Sequence, residues 1–234
     1  MNYKFSCIIK LKRKILKKIH LLAKIFKKEE HLNDFKNGKL YMNSIAYFKK
    51  YELENDKVRF DTDESLDIHW QAESCSLVLN KHEFNPIGAV KLYFSKNNYK
   101  NIFCMFSISS EDNLIKNGIH IDEKNKGFGN YLAVIKNPNL FLERVISGVE
   151  NSELNIRIGL VNYYDKSTNL TFEENEVGFH KLKDFSYQQE YRIIIDTNIK
   201  NTPFILEIGD LSDILEVLSI DEFNKNISFK NNVD

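Results

Sequence analysis

The chain has 234 residues, 42% hydrophobic and 28% charged, with only 9 Gly and 3 Pro and a formal net charge of zero. That composition excludes a collagenous or low-complexity chain, and 17 Phe with 11 Tyr supply enough apolar mass for a sizeable core. Three widely separated cysteines, Cys7, Cys75 and Cys104, show no CxxC spacing, which argues against a disulfide scaffold and for a reducing, cytoplasmic setting.

The zero net charge conceals an asymmetry. Residues 1–28 hold ten Lys/Arg and no acid, leaving 23 basic and 33 acidic residues in 29–234. This basic N-terminal segment has three open readings. It folds against its own acidic body, it contacts nucleic acid or another partner through Lys12, Arg13, Lys14, Lys17 and Lys18, or it lies on an anionic membrane. Ile15, Leu16, Ile19, Leu22, Ala23 and Phe26 recur at helical spacing with lysines largely opposite, the pattern of an amphipathic helix. A strand over His20–Phe26 is the alternative parse. No apolar run reaches the ~18 residues of a membrane-spanning helix.

After the segment, residues 28–35 read as a short helix stopped by Asn37-Gly38, and Lys39–Ile45 as a strand leading to Tyr47-Phe48. Residues 50–71 are polar and hold Glu52, Glu54, Asp56, Asp61, Asp63, Glu64 and Asp67, an expected solvated loop. Strands are expected at Cys75–Asn80, Ala89–Ser95 and Ile102–Ser107, the last two joined as a hairpin by the polar turn at 96–101. Tyr131–Lys136 is a further strand. Pro138 opens a helix over Asn139–Val149 that buries Leu140, Phe141, Val145 and Ile146. Strands follow at Ile156–Tyr164, Phe179–Leu182, Tyr191–Asp196 and Phe204–Ile208, then a helix at Ser212–Leu218 and a frayed end. No strict βα alternation argues for a doubly wound sheet. The expected architecture is a single α+β domain over 29–234, with a mixed, mostly antiparallel sheet flanked by helices, preceded by the basic segment 1–28.

Most familiar site chemistries find no support. The six histidines form no HxxxH or HxH pair, the acidic loop lacks calcium-hand spacing, and no metal site is expected. There is no GxxxxGK[ST] loop and no GxSxG elbow, and Gly127-x-Gly129 is a lone GxG. The informative stretch is Asp184–Asp196, where a polar loop delivers Glu190 to the start of an apolar strand. A carboxylate there is held on a rigid element yet faces a cleft. Arg192 falls on the same strand face, as a salt-bridge partner for Glu190 or as part of a charged patch that grips a ligand.

Three stretches carry a resemblance. Phe35-x-x-Gly38-Lys39-Leu40-Tyr41-Met42-Asn43-Ser44-Ile45-x-Tyr47-Phe48, then Arg59-x-Asp61-x-x-Glu64, then Tyr187-Gln188-Gln189-Glu190-Tyr191-Arg192 resemble an uncharacterised family of bacteria, prophages and phages. Its members share a GxLYMNxLxYF strand, an RGDxxEG loop and an aromatic-x-x-Glu-aromatic-Arg strand. Phe60 and Ser65 stand here where the family's loop has glycines. Gln188-x-Glu190 is also similar, more loosely, to mono-ADP-ribosyltransferases, whose catalytic glutamate begins a late strand. That likeness implies Glu190 as the catalytic carboxylate and Gln188 as its auxiliary. NAD would be a substrate, not a covalently bound cofactor. Tyr41, Ser44, Arg192 and His31 would lie around the dinucleotide, with Lys24 or Lys27 as other first-strand bases. It also implies that Glu190→Gln abolishes nicotinamide release with little change in melting temperature. Two functions follow as expectations: an ADP-ribosyltransferase-like protein of phage–host conflict, or a non-enzymatic binding protein that inhibits or senses a nucleic-acid or nucleoprotein partner through charged surfaces.

Overall fold

A computed structural model describes residues 19–51, 63–109, 118–150 and 152–228, the side chains of 49–51 excepted. The fold is α+β, its strands predominantly antiparallel. The main sheet runs β14-β2-β7-β1-β8-β15, with β13 on β7 and β9 on β13. Its strands are β1 (Ile19–Phe26), β2 (Lys39–Ser44), β7 (Lys100–Ser109), β8 (Tyr131–Ile135), β9 (Asn155–Leu160), β13 (Glu190–Asp196), β14 (Phe204–Glu207) and β15 (Leu215–Leu218). Smaller sheets join β3 (Ile68–Trp70) to β6 (Val90–Leu92) and β11 (Leu170–Thr171), β4 (Leu77–Leu79) to β5 (His82–Phe84), and β10 (Asn162–Tyr164) to β12 (His180–Leu182), the last pair parallel.

Of the two parses for the end of the basic segment, the strand is the one formed. β1 lies inside the sheet, antiparallel to both β7 and β8. Leu22 and Ala23 are fully buried on its opposite faces, so the apolar residues at 19–26 serve two faces and not one helical stripe. The folded domain therefore begins by residue 19, ahead of the boundary at 28. Lys12, Arg13, Lys14, Lys17 and Lys18 lie outside the described residues.

One face of the sheet is closed by α1 (Glu29–Lys36) and α3 (Pro138–Ser147). Phe35, Phe141 and Val145 from these helices pack on Phe103, Met105, Tyr191, Ile193 and Ile195 of β7 and β13. Pro138 at the first turn and the Asn137 side chain capping Leu140 N–H start α3 as the sequence predicts. Gly38, with φ of 81°, turns the chain from α1 into β2, and any Cβ there would overlap the Gly209 carbonyl.

The opposite face carries two separate caps. Around β13 and the lower half of β7, Ile194 and Ile102 meet Ile45, Leu66, Phe172, Val177 and Phe179. Around β1, β8 and the upper half of β7, Ala23, Phe106, Ile108 and Leu132 meet Ile121, Ile220 and Phe223 of α4 (Ile220–Asn226).

Several local expectations are corrected. Residues 212–218 do not form a helix. Leu215–Leu218 instead add as β15 to the edge of β8, a tertiary pairing that outweighs local propensity. The helix comes next, α4, started by a reciprocal cap between Ser219 and Glu222, a Ser-x-x-Glu signature legible in the sequence where fraying was expected. The polar turn at 96–101 joins no hairpin, because β6 pairs with β3 and β7 with β13. The strand expected over Ile156–Tyr164 is split at Val161 between two sheets.

Candidate functional site

The largest departure from expectation is the acidic loop. Asp63, Glu64, Ser65, Leu66 and Asp67 are all buried. Asp63 accepts from Lys91 Nζ at 2.6 Å and from Tyr93 Oη at 2.9 Å. Asp67 accepts from the Phe94 N–H and the Asn97 side chain, both at 2.7 Å, while burial pushes its carboxyl above the usual range. The solvated reading fails here because each acid is buried against donors brought from β6 and the turn that follows it. Residues 52–62, with Glu52, Glu54, Asp56, Arg59 and Asp61, lie outside the described residues.

Glu64 reaches the middle of the structure. Its two oxygens receive Arg192 Nη1 at 2.5 Å and Nη2 at 2.8 Å, a bidentate pair across 128 residues of sequence. Arg192, fully buried, also donates from Nε to Glu190 Oε2 at 2.7 Å and from Nη1 to the Gly178 carbonyl at 2.6 Å. The other Glu190 oxygen accepts from Lys181 Nζ at 2.8 Å, which also donates to Gln188 Oε1 at 2.7 Å and lies 3.3 Å from Glu64. The loop and the late strand of the phage-family resemblance thus meet in one ion cluster, at the seam between the two caps.

The backbone explains how Glu190 arrives there. A 3-10 turn over Lys183–Gln188 ends at Gln189 in the left-handed region (φ 41°), and this reverses the chain into β13. The Gln189 carbonyl is pinned by the N–H and Oγ of Ser107, and the Glu190 N–H donates to Tyr163 Oη at 2.9 Å.

Electrostatics then decides the charge states. Burial would raise the Glu190 carboxyl, but Arg192 and Lys181 outweigh it and hold the group far below the carboxylate range. Burial likewise opposes the charges on Lys181 and Arg192, and the two carboxylates overcome it, raising both. Desolvation pushes the Cys104 thiol up to about 12, with Glu190 adding to the effect, so Cys104 stays protonated and unreactive. The same two causes raise Tyr163.

A half-open hollow of about 70 Å³ adjoins the cluster, lined by Lys24, Cys104, Phe106, Phe128, Gln188 and Glu190 among others. Gln188 and Glu190 therefore share a cavity wall, and Lys24 of β1 joins them. The other proposed contacts of a dinucleotide do not. Ser44 sits opposite Asn101 while Glu190 sits opposite Phe106, five residues or roughly 17 Å further along β7. Ser44 Oγ accepts from the Tyr47 N–H at the start of α2 (Ile45–Tyr51). Tyr41 is 54% exposed on β2, and His31 lies on the exposed side of α1 near Glu30. Arg192 is consumed by Glu64 and Glu190. Among the described residues no group of three or more His, Cys, Asp or Glu side chains is placed to hold a metal ion. Sequence reasoning missed Lys181 as a partner and placed Glu64 in solvent. The shared occurrence of the loop and strand motifs was a signal for Glu64, whereas Lys181 belongs to neither motif.

Compared with protein-family models, curated proteins and solved structures, the chain matches none. No helix among the described residues is long and apolar enough to cross a membrane.

Proposed function

We propose that the protein is a binding protein that engages a protein partner through the hairpin of β4 and β5. The observation that carries this reading is that all six strand residues of the hairpin are exposed, although four are large and apolar. Asn80 and Lys81 both adopt positive φ, the tight turn that matches strand twist. The pairing Leu77↔Phe84 and Leu79↔His82 puts Leu77, Leu79 and Phe84 on one face and Val78 on the other. Ile87, a few residues further along the chain, is fully exposed as well. A hairpin apolar on both faces contributes little to its own core. Contiguous exposed apolar surface of this kind marks an interaction site, and burying each such side chain against a partner contributes about 1.5–3 kcal/mol. The resemblance to a phage and prophage family is what supports a partner in phage–host conflict.

Two features weigh against the transferase reading. A hollow of about 70 Å³ is several-fold smaller than the ~300 Å³ at the lower end of ligand pockets. The sign of the field is also unfavourable: among the described residues Lys24, Lys181 and Arg192 face Glu64 and Glu190 alone, whereas a developing oxocarbenium ion needs an excess of negative charge.

The test is a photo-crosslinker at Val78 in the native host, with washes at low and high salt. A protein captured at both salts by the parent chain, and lost in Leu77→Glu/Leu79→Glu, supports the hairpin. Capture that survives those substitutions but disappears at high salt moves the contact to the basic segment with Lys12, Arg13, Lys14, Lys17 and Lys18. In parallel, nicotinamide release from NAD by the parent chain, abolished by Glu190→Gln under conditions where that variant is folded, would establish the transferase instead.

A further inference from the structure

The main sheet has a break beside β7. β1 pairs with β7 as far as Ala23↔Phe106 and then stays only with β8, while β2 joins β7 at Ile102. Among the described strands, none pairs with residues 103–105 of β7 on that side. Into the break Lys24 sends its ammonium, which donates to the Cys104 carbonyl and sits 4.6 Å from the centre of the Phe103 ring. The hollow opens directly beside it.

The charges around this hollow do not balance. Arg192 and Lys181 are matched by Glu64 and Glu190, each through hydrogen bonds of 2.5–2.8 Å. Lys24 is the third cation and, among the described residues, forms no ion pair; its bonds go to a neutral carbonyl and a ring. Burial lowers its pKa, against the pull of Cys104 and Glu190, as expected of an ammonium short of a counter-charge. A part-buried cation without a matching anion carries a desolvation cost, and methionine would fill the same space without it.

We propose that the hollow beside Lys24 is a binding site for a small carboxylate with a short hydrocarbon tail. The carboxylate supplies the missing negative charge and takes the ammonium's remaining N–H donors. Ile25, Met105, Phe106 and Phe128 offer the tail an apolar wall. Size limits the ligand: a single water needs ~10–15 Å³ by this measure, so about 70 Å³ holds a carboxylate of two to four carbons. The Glu190 carboxylate on the same wall selects a monoanion over a phosphate dianion. This inference is independent of the hairpin reading.

Met105 on the wall of the hollow makes a convenient probe. The chain has three methionines, and Met42, buried in the core under α1, serves as internal reference. With methyl-¹³C methionine in the full chain, acetate, propionate or butyrate is expected to move the Met105 signal saturably and leave Met42 in place. Butylammonium, butanol and phosphate at equal ionic strength are expected to leave both unmoved. Lys24→Met should weaken carboxylate binding at least tenfold, and Lys24→Arg should retain more of it. The proposal is overturned if no carboxylate moves Met105, if butanol moves it equally, or if Lys24→Met binds as well as the parent chain. The titration of the parent chain decides the matter even if the variants fail to fold.

Discussion

Replacing Arg192 with methionine tests the central role assigned to the ion cluster. The substitution keeps an unbranched side chain but removes four hydrogen bonds, to Glu64, Glu190 and Gly178. It leaves two buried carboxylates sharing Lys181, each within 3.3 Å of its Nζ and so no more than about 6 Å apart. At an effective dielectric of about 20, two like charges at that distance repel by about 3 kcal/mol. This agrees with the ~3–5 kcal/mol typical of removing one partner from a buried pair. For a chain of this size the loss corresponds to a fall in Tm of roughly 10 °C. The pH response gives the sharper criterion. In the parent chain Glu190 titrates well below its ordinary value of 4.5, so its stabilisation is present above that pH and is lost as pH falls through the folded pKa. In Arg192→Met the repelling carboxylates gain a raised pKa, the folded state binds the extra proton, and stability rises as pH falls from 7 towards 5. Urea unfolding at pH 7 and pH 5 measures both. A loss below about 1 kcal/mol, or no gain on acidification, would refute the assignment of Arg192 as the charge that keeps Glu190 ionised.

Glu190→Gln leaves Lys181 and Arg192 short of a counter-charge, so calorimetry should show a drop of about 3 kcal/mol; the nearly unchanged melting temperature expected from the sequence does not fit a carboxylate bound by two cations. Cys104 and Cys75 are both part-exposed, but desolvation pushes the Cys104 thiol up to about 12, so in the native state iodoacetamide should alkylate Cys104 far more slowly than Cys75, as peptide mass spectrometry can follow. Gly38→Ala forces a Cβ into the Gly209 carbonyl at a positive φ and should cost at least about 2 kcal/mol in urea unfolding. Leu77→Glu with Leu79→Glu, at exposed positions, should change unfolding free energy by no more than about 1 kcal/mol while abolishing the interaction.

Much of the fold was legible because it rests on local rules. Apolar β-branched runs such as Tyr191–Asp196 became central strands, Pro138 opened its helix, and Gly38 stopped α1, each within a few residues of expectation. Failures fell where a distant partner decided the outcome. Leu215–Leu218 became a strand because β8 offered an edge; of the two parses open at the end of the basic segment, the strand formed because β7 and β8 flank it. Within the candidate site, the prominence of Glu190 and its alignment with Arg192 came from a period of two along one strand.

Composition, charge segregation and strand periodicity thus determined the α+β class, the core-forming segments and the carboxylate at the start of β13. Tertiary structure alone decided what that carboxylate faces. Lys181 reaches it from 9 residues away, but Glu64 joins the cluster from 126 residues away and Lys24 from the first described strand, beyond any sequence window. The physical reason is the low dielectric at the seam. There the sign and number of neighbouring charges, set by packing across the whole chain, determine whether an acid is a reactive group or a neutralised anchor.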